Sequence, residues 1–397
     1  MYYKSKKNLL ISLLLLAFNF SVPLYAKTYK VAVIAGLTGP VASVYLYWLG
    51  ALKHYFEYAK QKNLLGDNNI EIVVRDSQYK SDDAKKHFEE IAPDPNILLL
   101  LGLGTGESLA LKERIENRKI VTLPGSFDED ITKDSTYIFR VMGSYQMQMM
   151  HLLRFISAKS KEHKAKLAFY IHPSAFGRSP IQYAKEAILR EKLNIDVVTT
   201  VEHNEGMDLT SVLNKFKMLG IEFVINHTIA VPSSNLIKKA SELNLVANNF
   251  YEPGKIVFLG THYTGGQALL DLTANKADGF YWVSGLNSPH IDNPGNKLVH
   301  EILAANKGDA KWASSSDYIS GLITGALTVE LFRRAIATYQ GVLDRDKILQ
   351  TLLLMHGKDA YPMPFAVGPI DYGSKDRSGI DAVEVYHLEH AKFQIVH

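Results

Sequence analysis

The stretch Asn96–Ser126, NILLLLGLGTGESLALKERIENRKIVTLPGS, decides the fold. Ile97 to Leu101 is an apolar run of strand length, continuous enough to be buried on both faces. Gly102, Gly104 and Gly106 follow at once. Leu109, Leu111 and Ile115 then alternate with Lys112, Glu113, Arg114 and Glu116, as in a helix with one wet face. A second apolar strand, Ile120 to Leu123, ends at Pro124-Gly125-Ser126. Strands joined through a helix run parallel, and ligands of open parallel sheets sit beyond the carboxyl ends of the strands. Both ends here carry glycine with a hydroxyl residue: Gly104-Thr105-Gly106-Glu107-Ser108 and Gly125-Ser126. Glycine admits a ligand close to the backbone, and a helix start offers N–H groups to an anion. The spacing of Gly102, Gly104 and Gly106 does not complete a dinucleotide fingerprint, and no GxxxxGK[ST] phosphate loop occurs.

Outward from this unit the same alternation continues. Lys30–Ala35 reads as a strand, Tyr45–Lys60 as a helix, Ile70–Arg75 as a strand and Ala84–Ile91 as part of a helix. A second βα series starts near Gly143-Ser144. Its strands are Lys166–Ile171, Ile195–Val201, Phe223–Asn226, Ile256–Gly260 and Phe280–Ser284. Helices are expected at Leu298–Ala305, Asp317–Tyr339 and Asp346–Met355, a strand and turn at Gly368–Asp376, and a strand at Ala382–Leu388. Gly321, Gly325 and Ala326 suit close helix packing. The fold class is therefore α/β, two doubly wound parallel-sheet units.

The 397 residues, 47% hydrophobic and 21% charged, suffice for two lobes, and a net charge of +3 gives no argument for nucleic acid. Lys4, Lys6 and Lys7 precede an apolar run from Leu9 to Phe20 and a cleavage-like Pro23-Leu24-Tyr25-Ala26, so residues 1–26 read as a signal peptide. There is no cysteine, which excludes disulfides, thiolate metal sites and a cysteine nucleophile. These features point to the periplasm. No GxSxG elbow and no HExxH motif occurs, and no metal or cofactor is expected. His172, His227 and His262 each follow a strand, so they are able to face one cleft.

With this pattern in place, the chain from Lys30 to Phe393 resembles the periplasmic binding proteins of branched-chain amino acid ABC transporters. The matching anchors are Gly39-Pro40-Val41-Ala42, Arg75-Asp76, the Gly104–Ser108 turn, Leu123-Pro124-Gly125-Ser126, Phe176-Gly177, the helix through Tyr318, and Gly368-Pro369. The resemblance implies a type I binding fold with a ligand cleft between two lobes and a three-crossing hinge near Gly143, Val283 and Gly368. One lobe would hold residues 28–144 and 284–367, the other 145–283 and 368–397. It also implies ligand contacts from Thr105, Gly106, Ser108, Gly125, Ser126 and Phe127, with Phe176 and His262 from the other lobe; Tyr45 and Trp48, near the first turn, are candidates for an aromatic wall. Glu107 and Phe127 stand where the family has hydroxyl residues, Phe176 where it has tyrosine, and Ile229 at a second aromatic site. His262 stands where the family has the acid that pairs with a ligand ammonium. The implied role is capture of a small solute, a branched-chain amino acid or a related amide or carboxylate, for a membrane permease, by a monomer without enzymatic activity. The alternative is a sensory or regulatory envelope protein of the same fold that binds a partner protein.

Overall fold

The computed structural model describes residues 26–250, 252–274, 276–373 and 375–396. The expected signal peptide, apart from Ala26, lies outside the described residues. The first sheet holds β1 (Thr28–Ala35), β2 (Asn69–Asp76), β3 (Ile97–Gly102) and β4 (Val121–Pro124), all parallel, in the order β2-β1-β3-β4. Strand β3, the ILLLLG run, is buried at every residue, as its continuous apolarity predicts. Between these strands run α1 (Ala42–Gln61), α2 (Ser81–Ile91) and α3 (Thr105–Arg118).

After the short α4 (Glu129–Thr132), α5 (Tyr145–Lys159) starts where the Ser144 hydroxyl accepts the Met147 amide at 2.9 Å. The second sheet contains β5 (Ala165–Ile171), β6 (Ile195–Glu202), β7 (Phe223–His227), β8 (Val257–Gly260) and β9 (Tyr281–Ser284). Its helices are α6 (Ala175–Arg190), α7 (Leu209–Leu219), α8 (Ala230–Glu242) and α9 (Gln267–Thr273). The parallel order β6-β5-β7-β8-β9 is extended by the antiparallel hairpin β10 (Glu384–Glu389) and β11 (Lys392–Ile395). The Gly368–Asp376 stretch, expected as strand and turn, forms no strand among its described residues; Ile370 makes a single bridge to Tyr361. Strand β11 was not foreseen, because four residues around one buried Phe393 carry little period.

Helices α10 (Pro294–Ala305), α11 (Ser316–Tyr339) and α12 (Arg345–Leu353) lie between β9 and β10 in sequence. Helix α11 is buried along most of its length and packs on α1. Their backbones meet at Gly321, where an added Cβ would stand 2.2 Å from the Trp48 carbonyl oxygen and 2.7 Å from the Ala51 Cβ. Substituting Gly321→Ala is expected to force the helices apart and cost about 1–3 kcal/mol. A urea midpoint within error of the unsubstituted protein would show that the seam is not tight.

Each sheet reverses its winding between its first and third strands, β1/β3 in one and β5/β7 in the other. In open parallel sheets this is where ligands bind.

Candidate functional site

A cavity lies where the two sheets face each other. The first sheet supplies Val41 and Val44 after β1, Tyr79 after β2, Gly104 and Thr105 after β3, and Gly125 and Ser126 after β4. The second supplies Phe176 after β5, Ile229 after β7 and Tyr263 after β8. Tyr45 of α1 and Tyr145 of α5 complete the wall. The space open to the centre of a water molecule is only about 30 Å³, so the two walls stand close together.

The polar floor comes from the two turns read in the sequence. The Thr105 and Ser126 hydroxyls bond each other at 2.7 Å. The Thr105 and Gly106 amides sit in the first turn of α3, with no helical carbonyl four residues back to receive them. Gly102 makes the turn possible: its φ is +107° and a Cβ there would meet the Ile34 carbonyl oxygen at 2.6 Å. The Tyr45 hydroxyl donates to the Gly102 carbonyl at 2.7 Å. Gly125 is held as closely, since a Cβ would stand 2.6 Å from both the Gly102 oxygen and the Tyr45 hydroxyl.

Of the expected contacts, the structure brings Tyr45, Thr105, Gly125, Ser126 and Phe176 to the cavity wall and places Gly106 in the adjoining helical turn. Ser108, Phe127 and His262 do not line it. Ser108 points back into its own turn, its hydroxyl 3.4 Å from the Leu103 carbonyl. Phe127 forms a layer behind the wall, stacked on Tyr263 at 5.5 Å and edge-on to His262 at 5.3 Å. His262 is buried one layer deeper. Its amide donates to Gln148 Oε1 at 3.0 Å, and its ring nitrogens meet Ser284 Oγ at 3.1 Å and Ser320 Oγ at 3.0 Å. Burial lowers its pKa to about 3, so the ring is neutral at pH 7. Glu107, which replaces a hydroxyl residue of the family, is turned away and accepts the Gly104 amide at 2.6 Å. Burial raises its pKa, while hydrogen bonds from Ser77 and Gly104 act against the rise.

Tyr79, Tyr145 and Tyr263 were missed. Tyr263 follows His262 directly, and the 3₁₀ turn His262–Thr264 gives the cavity to the second residue. Its hydroxyl crosses between the sheets to the Gly125 carbonyl at 2.5 Å. Tyr145 is the first residue of α5, its hydroxyl beside Ser126 and the Phe127 amide. Tyr79 stands on a loop with positive φ and reaches across to Ser174.

Behind the second sheet's half of the wall lie three buried histidines. His227 contacts Thr261 Oγ1 at 2.7 Å through Nδ1 and the Phe176 carbonyl at 3.0 Å through Nε2. His172 Nδ1 contacts Ser174 Oγ at 2.8 Å. Each is occupied by its own neighbours, and among the described residues no group of three or more His, Asp or Glu is placed to hold a metal ion.

Two parallel sheets that turn their strand ends toward one shared cavity define a small-molecule binding protein. The chain belongs to the periplasmic binding protein family, whose model matches residues 28–392. No curated protein matches the sequence. Among solved structures, a branched-chain amino acid ABC transporter protein from Thermus thermophilus with bound valine is 29% identical. It superposes with a TM-score of 0.87 over 94% of this chain and 96% of that one. A fatty acid ABC transporter substrate-binding protein from Thermomonospora curvata is 20% identical, with a TM-score of 0.78 over 93% and 91%. A solute-binding protein from Rhodopseudomonas palustris in complex with 3,4-dihydroxybenzoic acid is 19% identical, with a TM-score of 0.74 over 93% and 96%. The architecture is the type I periplasmic binding fold, and the protein is a solute-binding protein of the ABC-transporter type. No described helix is long and apolar enough to cross a membrane.

Proposed function

We propose that this protein captures a small solute in the Tyr45–Thr105–Ser126–Phe176–Tyr263 cavity and presents it, closed, to a membrane permease. The observation that carries this reading is a cavity walled from both sheets, with hydroxyl and amide donors on one side and aromatic rings around them. One lobe comprises residues 28–144 and 284–367, the other 145–283 and 368–397, with the three crossings between them as the hinge. A solute that touches both walls gains those contacts only when the lobes meet, so its binding favours the closed state, in which Tyr263 also bonds the Gly125 carbonyl. The protein acts as a monomer in the periplasm after removal of residues 1–26, and it catalyses no reaction.

The test is a thermal-shift screen of the mature protein against amino acids, aliphatic amides and small carboxylates. A solute at a hundred times its Kd adds about 2.7 kcal/mol, a rise of several degrees. The Ser126→Ala variant is expected to weaken that solute by about 1 kcal/mol or more, through loss of a hydroxyl in the floor. Silence across the panel overturns the reading, and unchanged affinity in the variant removes Ser126 from the site.

A further inference from the structure

Every polar atom of the buried His262 is hydrogen-bonded, and the partners come from separate segments of the chain. Its amide donates to Gln148 Oε1 at 3.0 Å, and Gln148 Nε2 donates in turn to the Gly143 carbonyl at 2.8 Å. Its carbonyl receives the Trp282 indole N–H at 3.0 Å. Nδ1 meets Ser284 Oγ at 3.1 Å, and that oxygen also receives the Leu286 amide at 3.2 Å. Nε2 meets Ser320 Oγ at 3.0 Å. The network assigns the ring proton. The Ser320 hydroxyl donates to the Ser316 carbonyl at 2.8 Å, so its oxygen is left to accept and Nε2 is the donor. Nδ1 then accepts from Ser284. Gly143 and Ser284 stand at two of the three crossings, and Ser320 belongs to α11 of the opposite lobe. The seam around this last bond is tight. The Ser316 hydroxyl is 3.4 Å from the Gly265 carbonyl, and a Cβ on Gly266 would stand 3.0 Å from Ser316 Oγ.

We infer that His262 is a positioning residue for lobe closure: it is anchored at two hinge crossings and latches to Ser320 of the opposite lobe when the lobes meet. The inference rests on the two-lobe capture reading and goes beyond it, because His262 does not line the cavity and acts through the hinge. When the lobes part, the anchors toward Gly143 and Ser284 travel with the ring, and the Ser320 bond is broken. A bond present in both states biases neither. A bond made in the closed state alone favours closure by its whole worth. Ser320→Ala removes the acceptor and leaves a buried N–H without a partner in the closed state, whereas in the open state water meets it. The variant therefore penalises one state and not the other.

The experiment measures the distance between the lobes in the mature chain with no solute added. The sequence has no cysteine, so Glu113→Cys and Lys185→Cys place a single pair of spin labels for double electron–electron resonance. Both positions are exposed, one on α3 and one on α6. These helices start opposite each other across the cleft, where a Cβ on Gly106 would stand 3.7 Å from the Ala175 Cβ. In the labelled chain, Ser320→Ala is expected to lower the ratio of short to long distances about tenfold. Thr328→Val controls for a lost hydroxyl in the same helix. That hydroxyl bonds the Thr324 carbonyl of α11 at 2.8 Å, and its loss is expected to leave the ratio where it was. A ratio in Ser320→Ala equal to that of the parent chain overturns the inference, and so does an equal shift in Thr328→Val. The thermal-shift screen is independent of the labels. A solute found there together with an unmoved ratio strikes the His262 latch alone and leaves capture standing.

Discussion

Phe176→Ala is expected to cost about 3–5 kcal/mol in all, shared between unfolding free energy and solute affinity. The ring is 4% exposed and sits at the centre of an aromatic cluster. Its centroid lies 4.4 Å from His227, 5.1 Å from Tyr145, 5.8 Å from Tyr263 and 5.9 Å from His172. Tyr145 begins the helix before β5, His227 ends β7 and Tyr263 follows β8, so one side chain ties three segments together. Its position is fixed by the next residue. A Cβ on Gly177 would stand 2.0 Å from the His172 carbonyl oxygen, so α6 starts directly over the end of β5. Truncation leaves a void beside the cavity and unseats the group that receives His227. Contacts to His227, Tyr145, Tyr263 and His172 register in the urea midpoint, and contacts to the solute register in calorimetry. Phe176→Leu keeps most of the volume and should lose less than half as much. A combined loss below about 1 kcal/mol in the alanine variant would show that the ring is not a packing element.

Acidification from pH 7 to pH 5 is expected to lower stability by about 4 kcal/mol through four buried groups. Burial is the largest cause of each shift. It takes His227 and His262 down to about 3, and His172, beside His203 and Arg178, down to about 4. An exposed histidine titrates near 6.5, so below that pH the unfolded chain binds protons that the folded chain refuses. Stability is therefore full above pH 6.5 and falls as pH drops toward the folded values. Each histidine loses about 2 kcal/mol between pH 7 and pH 5. Asp317 works the other way. Burial raises its carboxyl to about 7, so the strain of an ionised, buried acid is relieved as pH falls from 7 toward 3.8. It returns about 2 kcal/mol over the same interval. Unfolding free energies at pH 7, 6 and 5 measure the sum. His262→Asn should flatten the slope by roughly the share of one histidine, about 1 kcal/mol per pH unit at pH 5. A slope identical to that of the unsubstituted chain would mean that the folded protein accepts a proton at His262.

The fold was legible because its strands are short, apolar and separated by helix-period segments, and the Asn96–Ser126 unit contains every element of that argument. The polar floor was legible for the same reason. Thr105 and Ser126 sit where glycine ends a strand, and parallel topology alone brings such ends together. The aromatic wall was legible only at Tyr45 and Phe176. Tyr79 depends on a positive-φ loop, Tyr145 on which residue starts a helix, and Tyr263 on a 3₁₀ turn that shifts the cavity-facing residue by one from His262. Ser108 lies in the right turn to face a ligand, and Glu107 stands beside it at a hydroxyl position of the family. Their direction was decided by local hydrogen bonds to Leu103 and Gly104, which spacing does not record. Trp48 lies next to Tyr45 in space yet serves the seam with α11, its indole nitrogen 3.3 Å from Thr324 Oγ1.

Val283 of β9 pairs with Val385 of β10, roughly a hundred residues further along the chain. A chain made from its N-terminus can close the first sheet once residue 124 is available, but it cannot cover the open flank of β9 until the β10–β11 hairpin has been synthesised. During that interval a buried-type edge, with Trp282 and Val283 on it, is bare to any other strand. Ribosome stalling or a proteolytic cut before residue 384 would therefore leave a product whose main hazard is association with its own kind, more than a weakened hold on its solute.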